Sequence, residues 1–228
     1  MNNREIEIGD ALKAVEARIT TAAASAGRSR SEITLIAVTK TYPVTDVEIL
    51  RNLGVQNFGE NRSEEGVAKS GQVSATWHFQ GQVQSRKLRD IATWASFVHS
   101  LDSAEHVEKL SRVATESEKE IAIFLQLSLD GAVGRGGVIA TDLKALADAV
   151  VNLPHIKLVG LMCVPPVEYE HERAFSVIAE IHQSFIASFP SATYLSAGMS
   201  SDFEVAISHG ATHLRVGSQI LGSRPYHP

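Results

Sequence analysis

Lys40 follows an apolar run, and its position raises a chemical question. In SEITLIAVTKTYP, the run Leu35–Val38 has the continuous apolar character of a fully buried strand, and Thr39, Lys40 and Thr41 follow it. A lysine in such a place is either a solvated residue at a strand exit or an amine held in a site. Because most lysines are solvated, this residue alone favours the first interpretation.

Two segments near the C-terminus have the composition of anion-binding turns. The segment SAGMSSD, which ends at Asp202, is rich in small residues and hydroxyls and is predicted to cap the start of a helix. In RVGSQILG, Gly217 lets the backbone approach a ligand closely, and the hydroxyl of Ser218 follows it. Backbone N–H groups at such turns bind anions such as phosphate. Taken singly, each segment could also be an ordinary turn.

Other catalytic signatures are weak or missing in this sequence. The nine histidines include no H-E-x-x-H pair, and no G-x-S-x-G nucleophile elbow occurs, so neither a metal site nor a serine hydrolase is predicted. Cys163 is interpreted as a small buried hydrophobic residue. The glycine-rich segment Gly131–Gly137 lacks the Lys-Ser/Thr ending of a P-loop and is predicted to be a rim loop or a tight turn. His78, taken alone, is interpreted as a core histidine.

Composition and charge indicate a globular protein of the cytoplasm. Of 228 residues, 44% are hydrophobic and 21% are charged, and the net charge of −5 disfavours a nucleic-acid partner. The single cysteine excludes an internal disulfide framework and fits a reducing compartment. The N-terminus lacks the apolar segment of a signal peptide, and no apolar run approaches membrane-spanning length, so no membrane association is expected.

An amphipathic helix is predicted first, and strands then alternate with helices. Ile8, Leu12, Val15 and Ile19 recur at spacings of three and four, which predicts the opening helix. Strands are predicted over Leu35–Lys40, Gln56–Phe58, Trp77–Gln80, Phe97–Ser100, Ile121–Leu127, Leu158–Met162, Thr193–Leu195 and His213–Val216. Helices are predicted over Asp46–Leu53, Glu60–Lys69, Ser85–Thr93, Ala104–Ser117, Thr141–Val151, Glu168–Phe189 and Asp202–Ser208.

This alternation predicts an α/β protein with a parallel sheet, closed as a single (β/α)8 TIM barrel with an extra N-terminal helix. An open doubly wound sheet is disfavoured because no G-x-G-x-x-G follows the first strand. The whole chain, 1–228, is expected to form one domain. Lys40 then lies at the C-terminal end of strand one, and the two anion-type turns follow strands seven and eight, where barrels often bind phosphate.

Six motifs in this order resemble one known family. They are AVTKT at 37–41, FGEN at 58–61 with two glutamates just after, WHFQG at 77–81, GLM at 160–162, SAGMSSD at 196–202 and RVGS at 215–218. The chain is similar, from about residue 8 to 224, to the pyridoxal-phosphate homeostasis proteins, which look like the barrel domain of alanine racemase standing alone. Departures from the family pattern, at Thr39, Gln80, Cys163 and Ala197, remove no group that the cofactor needs.

The resemblance implies a carrier of pyridoxal 5′-phosphate (PLP). Lys40 matches the lysine that forms the internal aldimine, and Arg215 matches the arginine facing the pyridine nitrogen. Burial at a barrel mouth with Arg215 nearby would lower the pKa of Lys40, as a lysine that attacks an aldehyde requires. The other implied cofactor-binding residues are Ser200, Gly217 and Ser218 at the phosphate, Asn61 and His78 lining the pocket, and Ser196 and Met199.

The resemblance also bears on catalysis. An arginine at the pyridine nitrogen would keep it unprotonated and make the ring a poorer electron sink. In the racemases that resemble this chain, a second base comes from an additional C-terminal domain, whereas only Pro225–Pro228 follows the barrel here. No efficient racemase activity is therefore expected, and no catalytic residue is assigned.

The leading hypothesis is a protein of intracellular vitamin B6 homeostasis and amino-acid balance. A PLP-dependent amino-acid racemase, or another PLP enzyme of unknown substrate, is the alternative. In a Schiff-base aldolase on the same barrel, the reactive lysine usually lies at the C-terminal end of strand six. This activity is disfavoured here because Lys157 lies near the start of that strand. The expected partners are PLP itself and PLP-dependent apoenzymes that receive it, and the chain is expected to be a monomer or a weak homodimer.

Overall fold

The computed structural model describes residues 3–222, in which eight parallel strands close into a barrel in the order β1 to β8. The strands are β1 Thr34–Val38, β2 Asn57–Glu60, β3 Thr76–Phe79, β4 Phe97–Leu101, β5 Ile121–Leu127, β6 Ile156–Cys163, β7 Tyr194–Met199 and β8 His213–Val216. The helices are α1 Asn3–Ser25, α2 Val44–Asn52, α3 Ser63–Ser70, α4 Leu88–Trp94, α5 Ala104–Glu116, α6 Ala140–Val150, α7 His171–Ser188, α8 Phe203–Ser208 and α9 Ser218–Leu221. Short 3-10 turns cover Arg30–Glu32 and Ser85–Lys87.

The first and last strands close the barrel. Along this seam Thr34 pairs with His213 and Ala37 pairs with Val216, parallel and without a register shift. Both strands are buried along nearly their whole length, and β1 has the continuous apolar sequence that is typical of a strand enclosed on both faces. The predicted (β/α)8 barrel with an N-terminal helix is thereby confirmed.

The chain leaves β1 earlier than the apolar run suggests. The strand was predicted to continue to Lys40, but it ends at Val38. Thr39 N–H still donates to Gly59 O on β2, and Tyr42 N–H then donates to Thr39 O, which closes a turn. Thr41 has a φ of 70°, a left-handed conformation that a strand cannot contain. Lys40 therefore lies in the turn after β1, which leads into α2.

Two other element boundaries differ from the predictions in ways that matter for the site. Glu60 was predicted to start a helix but is the last residue of β2, fully buried, and α3 begins at Ser63. Strand β7 was predicted to stop at Leu195 but continues to Met199, so Ser196 lies inside the strand. In both cases a polar residue that was predicted to lie outside the strands is part of the barrel wall.

Helix α1 packs against the elements that follow the last two strands. Its apolar face, which includes Ile8 and Ile19, is buried, as the spacing predicted. Arg18 pairs with Glu204 on α8, and Arg4 donates both to Asp46 on α2 and to Leu221 O at the end of α9. The additional helix thus holds together α2, α8 and α9, which adjoin the turns after β1, β7 and β8.

Inside the barrel, histidine rings pack beside a small, separate apolar cluster. Phe124, Val159 and Met162 form this cluster, distinct from the larger core between strands and helices. The ring of His99 stacks on that of Phe124 with 4.3 Å between centroids, and the ring of His78 stacks on that of Phe97 at 4.6 Å. None of the helices in residues 3–222 is both long enough and apolar enough to cross a membrane.

Candidate functional site

A cavity of about 520 Å³ opens at the C-terminal end of the barrel. Pockets of roughly 300–1,000 Å³ are typical of small-molecule sites. The structure brings seven of the nine predicted site residues together in its lining: Lys40, Asn61, Met199, Ser200, Arg215, Gly217 and Ser218. The prediction did not include five further lining residues, Val38, Tyr42, Gln80, Val164 and Ser201.

Two predicted site residues, His78 and Ser196, do not line the cavity. Both side chains are fully buried inside the barrel. Side chains two residues apart on a strand share a face, so His78 lies one layer deeper in the barrel than Gln80, which lines the cavity. Ser196 lies three residues before the end of β7. His78 was implied to line the pocket. It is instead a hydrogen-bonded core histidine, which is the interpretation that this residue taken alone favoured.

The turns after β7 and β8 present hydroxyls side by side. Ser218 Oγ donates to Ser200 Oγ across 3.3 Å. Asp202 caps the start of α8, within the segment predicted to do so, but its carboxylate accepts from Met199 N–H at 2.6 Å and so closes the turn on the strand side. Because α8 and α9 span only six and four residues, their dipoles contribute little, and anion binding here depends on hydroxyls and local N–H groups.

Gly217 is required by the contact between β8 and β1. A Cβ atom at this position would lie 3.0 Å from Val38 O, closer than ordinary packing allows. The absence of a side chain lets the backbone before Ser218 run directly beside the end of β1. Tyr42, two residues after Lys40, donates its hydroxyl to Gly222 O at 2.6 Å, which ties the Lys40 turn to the end of α9.

Arg215 supplies a buried positive charge at the bottom of the cavity. Its Nη1 donates to Ser196 Oγ at 2.8 Å, and its Nη2 donates to Cys163 O at 3.1 Å. Burial lowers the pKa of Arg215 to about 10, so the guanidinium remains charged at neutral pH. Burial raises the pKa of Cys163 to about 12, which keeps its thiol protonated and excludes a thiolate nucleophile at neutral pH.

A chain of buried hydrogen bonds continues from Arg215 through the barrel interior. Ser196 Oγ lies 2.8 Å from His99 Nδ1, and His99 Nε2 lies 2.9 Å from His78 Nδ1. His78 Nε2 lies 3.0 Å from Asn57 Oδ1. Burial, reinforced by neighbouring histidines and, for His99, by Arg215, holds the pKa of both imidazoles well below the usual range. Each imidazole is therefore neutral, with one donor nitrogen and one acceptor nitrogen.

The acceptor at the far end fixes the direction of every bond in this chain. Asn57 Oδ1 only accepts, so His78 donates from Nε2 and accepts at Nδ1. His99 must then donate from Nε2, which leaves its Nδ1 to accept from Ser196 Oγ–H. The lone pairs of Ser196 therefore face Arg215. The aligned dipoles stabilise the guanidinium charge, and because the chain is hydrogen-bonded throughout, it fixes the position of Arg215.

His99 is the functional candidate that sequence patterns did not identify. Its signal was a histidine within the apolar strand Phe97–Leu101, next to the strand that contains His78. Within residues 3–222, no group of three or more His, Cys, Asp or Glu side chains could hold a metal ion.

The chain as a whole is similar to one known family. The model of the N-terminal domain of alanine racemase matches residues 11–225 of this chain. The chain is 40% identical over 219 residues to a pyridoxal phosphate homeostasis protein of Corynebacterium glutamicum, covering 92% of this chain and 99% of that one. It is 38% identical to the protein of the same name in Mycobacterium leprae, covering 96% of this chain and 94% of the other.

The chain belongs to the pyridoxal phosphate homeostasis protein family. A solved structure of a related protein, PipY of Synechococcus elongatus, was determined with PLP bound. It superposes on this chain with a TM-score of 0.82 at 28% identity, covering 94% of this chain and all of that one. The family membership that the six motifs implied is confirmed over nearly the whole chain.

Proposed function

We propose that this protein binds PLP in the cavity at the barrel mouth and acts in PLP homeostasis. The observation that carries the proposal is that one cavity of about 520 Å³ is lined by an amine, two neighbouring hydroxyls and a buried guanidinium. These groups match an aldehyde, a phosphate and a polar ring. The curated relatives named for PLP homeostasis, and the PipY structure with PLP bound, support the same assignment.

Different lining residues would bind different parts of PLP. PLP supplies an aldehyde, and Lys40 Nζ would form a Schiff base with it, with loss of one water. Ser200 and Ser218, with the backbone beside Gly217, would bind the phosphate. Gln80 Nε2 is buried and unpartnered within the part of the chain that the structure describes, so it offers a donor to a bound ligand. Asn61 and Met199 would line the pocket around the ring.

Arg215 would carry the positive charge of the site, with Ser196, His99 and His78 supporting it from below. The described lining includes no Asp or Glu side chain that could keep a pyridine nitrogen protonated. A ring held beside a guanidinium is a weak electron sink. This supports a protein that holds and releases PLP over one that performs chemistry on a bound substrate.

We extend the proposal to the whole chain. Residues 1–228 form a single PLP-binding domain, the protein acts in the cytoplasm as a monomer or a weak homodimer, and PLP-dependent apoenzymes receive its cofactor. Transfer is tested by mixing loaded protein with a PLP-dependent apoenzyme and comparing the rate of activation with that produced by free PLP. If activation is no faster than the release of PLP into solution, the protein stores PLP but does not deliver it by direct contact.

The primary test is to locate the covalent bond. The protein is titrated with PLP, the imine absorbance is recorded, the adduct is reduced with borohydride and the labelled peptide is identified by mass spectrometry. We expect one label per chain, on Lys40. If no imine band forms, or if the label lies on an exposed lysine such as Lys157, the proposal is overturned.

Removing the paired hydroxyls should weaken PLP binding only through the loss of contacts with the phosphate. For Ser200→Ala and Ser218→Ala we expect affinity for PLP to fall by roughly ten- to a hundredfold each, because a hydrogen bond to a charged group contributes about 1.5–3 kcal/mol. Affinity for pyridoxal, which lacks the phosphate, should not change. Calorimetric titration with both ligands measures the difference, and Ser208→Ala, on the exposed face of α8, is the matched control. Equal losses for PLP and pyridoxal would contradict a phosphate site here.

A further inference from the structure

A buried ionic cluster lies behind the turn that contains Lys40. It consists of Glu60 at the end of β2 and of Glu65 and Lys69 on α3. Lys69 Nζ lies 2.7 Å from Glu60 Oε1 and 3.0 Å from Glu65 Oε2. Lys69 is 5% exposed and Glu60 is fully buried. None of the three lines the cavity, so a direct role in ligand binding does not account for them.

The cluster binds the main chain on both sides of Lys40. On one side, Lys69 Nζ donates to Thr39 O at 2.7 Å, and Thr39 Oγ1 donates to Glu60 Oε1 at 2.6 Å. On the other side, Glu65 Oε2 accepts from Thr41 N–H at 2.7 Å. Charged partners make such hydrogen bonds stronger than neutral ones. The peptide groups before and after Lys40 are thus both anchored to the same cluster.

The conformation held in this way is one that the turn would not adopt unaided. Thr41 is β-branched and has a φ of 70°, which costs on the order of 1–2 kcal/mol for an L-residue. Glu65 binds the N–H of that same residue and so offsets the strain. If the bond were lost, relaxation of Thr41 would rotate the peptide that follows Lys40 and redirect the side chain.

Stability of the fold alone does not explain such a cluster. A buried ion pair costs much of its attraction in desolvation, and well-packed apolar residues often serve equally well in its place. Within residues 3–222, the side-chain hydrogen bonds that Glu60, Glu65 and Lys69 make outside the cluster all go to Thr39 and Thr41, and Glu65 adds only a loose ion pair of 3.9 Å with Arg62. That selectivity indicates that the cluster orients the turn.

We propose that Glu60, Glu65 and Lys69 are positioning residues for Lys40. This rests on the proposed function, since it assigns to the cluster the placement of the amine that attacks the aldehyde of PLP. The cluster should govern how fast the imine forms, and it should have little influence on the noncovalent binding of phosphate and ring. Misplacing a reacting group by about 1 Å can slow a reaction by about a hundredfold.

The test separates imine formation from binding. Stopped-flow absorbance measures the rate of imine formation with PLP, and calorimetry measures affinity for 4′-deoxypyridoxine 5′-phosphate, which lacks the aldehyde. For Lys69→Met and Glu65→Leu we expect the rate to fall by about tenfold or more, with affinity for the analogue within about twofold of wild type. Glu65→Gln, whose amide oxygen can still accept from Thr41 N–H, should restore most of the rate.

Two control variants are matched to the substitutions. Glu64→Leu removes the neighbouring, exposed carboxylate of the same helix, which pairs with Lys87. Lys119→Met removes a partly buried lysine that donates to Ala92 O and Thr93 O on α4 and not to the Lys40 turn. Both should form the imine at the wild-type rate, even where stability falls. Because Lys69→Met leaves Glu60 buried without its ion pair, Glu65→Leu serves as the test if that variant does not fold.

The possible outcomes distinguish this inference from the proposed function. A wild-type rate in Glu65→Leu, or a parallel loss of analogue affinity and rate, would overturn the positioning role while the proposed function remained. If the wild type itself forms no imine, the proposed function fails. Amide hydrogen exchange at Thr41 then tests the cluster without PLP, and an unchanged rate in Glu65→Leu would show that it does not hold the turn.

Discussion

Replacing Lys40 by methionine is expected to abolish covalent attachment of PLP completely. Methionine keeps the length and apolar stem of the side chain but has no amine, so no Schiff base can form. Ser200, Ser218 and Arg215 remain in place in the cavity, and weak noncovalent binding should therefore persist. The expected result is loss of the imine absorbance band and of the borohydride-fixed label, with residual affinity detectable by calorimetry.

The matched control for this variant is Lys157→Met, which removes an exposed lysine from β6. It should keep the full band and the full label. A band of wild-type intensity in Lys40→Met would show that another amine receives the cofactor. The same two variants also test whether the protein only binds PLP or catalyses a reaction with it. Sustained racemisation of an amino acid, present in the control and lost in Lys40→Met, would favour the PLP-enzyme alternative.

Acid should destabilise the protein by several kcal/mol between pH 7 and pH 5. Burial holds the pKa values of His78 and His99 well below the usual range and lowers that of His213 to about 4. Below pH 6.5 the unfolded chain binds protons at these histidines and the folded barrel does not, so the free energy of unfolding rises with pH and is lost as pH falls. Each contributes about 1.4 kcal/mol per pH unit, or about 6 kcal/mol for the three together at pH 5.

Glu60 acts in the opposite direction and reduces this effect. Burial raises its pKa, so the folded state takes up a proton there before the unfolded state does, and its contribution to stability increases as pH falls. Denaturant titrations at half-unit steps of pH measure the net slope. His99→Gln should lower this slope below pH 6.5 by the share of one histidine, about 1.4 kcal/mol per pH unit. Equal stability at pH 5 and pH 7 would contradict neutral interior histidines.

The fold could be predicted because hydrophobic periodicity and strand–helix alternation report it directly. The C-terminal ends of barrel strands share one face, so Lys40 and the serines of two distant turns could be expected in one site. The strand boundaries near that face were less predictable. Acids are favoured at the start of a helix, which is where Glu60 was predicted to lie. It instead remains in β2, and its partner Lys69 lies nine residues further along the chain.

The supporting contacts could not be predicted because they join residues far apart in sequence through side-chain direction. Nothing in the residues around His99 indicates that its ring meets Ser196, 97 positions away. His78 and Ser196 carry the right chemistry in family motifs, yet their depth along the strand places them in the barrel interior below the cavity. Those directions depend on the register of neighbouring strands, which only the folded barrel defines.

The seam between β1 and β8 also has a consequence for synthesis on the ribosome. Lys40 follows the first strand, whereas Ser200, Arg215 and Gly217 belong to the last two strands or the turns after them. Pairing across so long a stretch of chain is slow, and it cannot begin until the final strand has emerged. A nascent chain therefore has its amine long before it has the rest of the pocket. Capture of the cofactor should mark the completion of folding rather than assist its early steps.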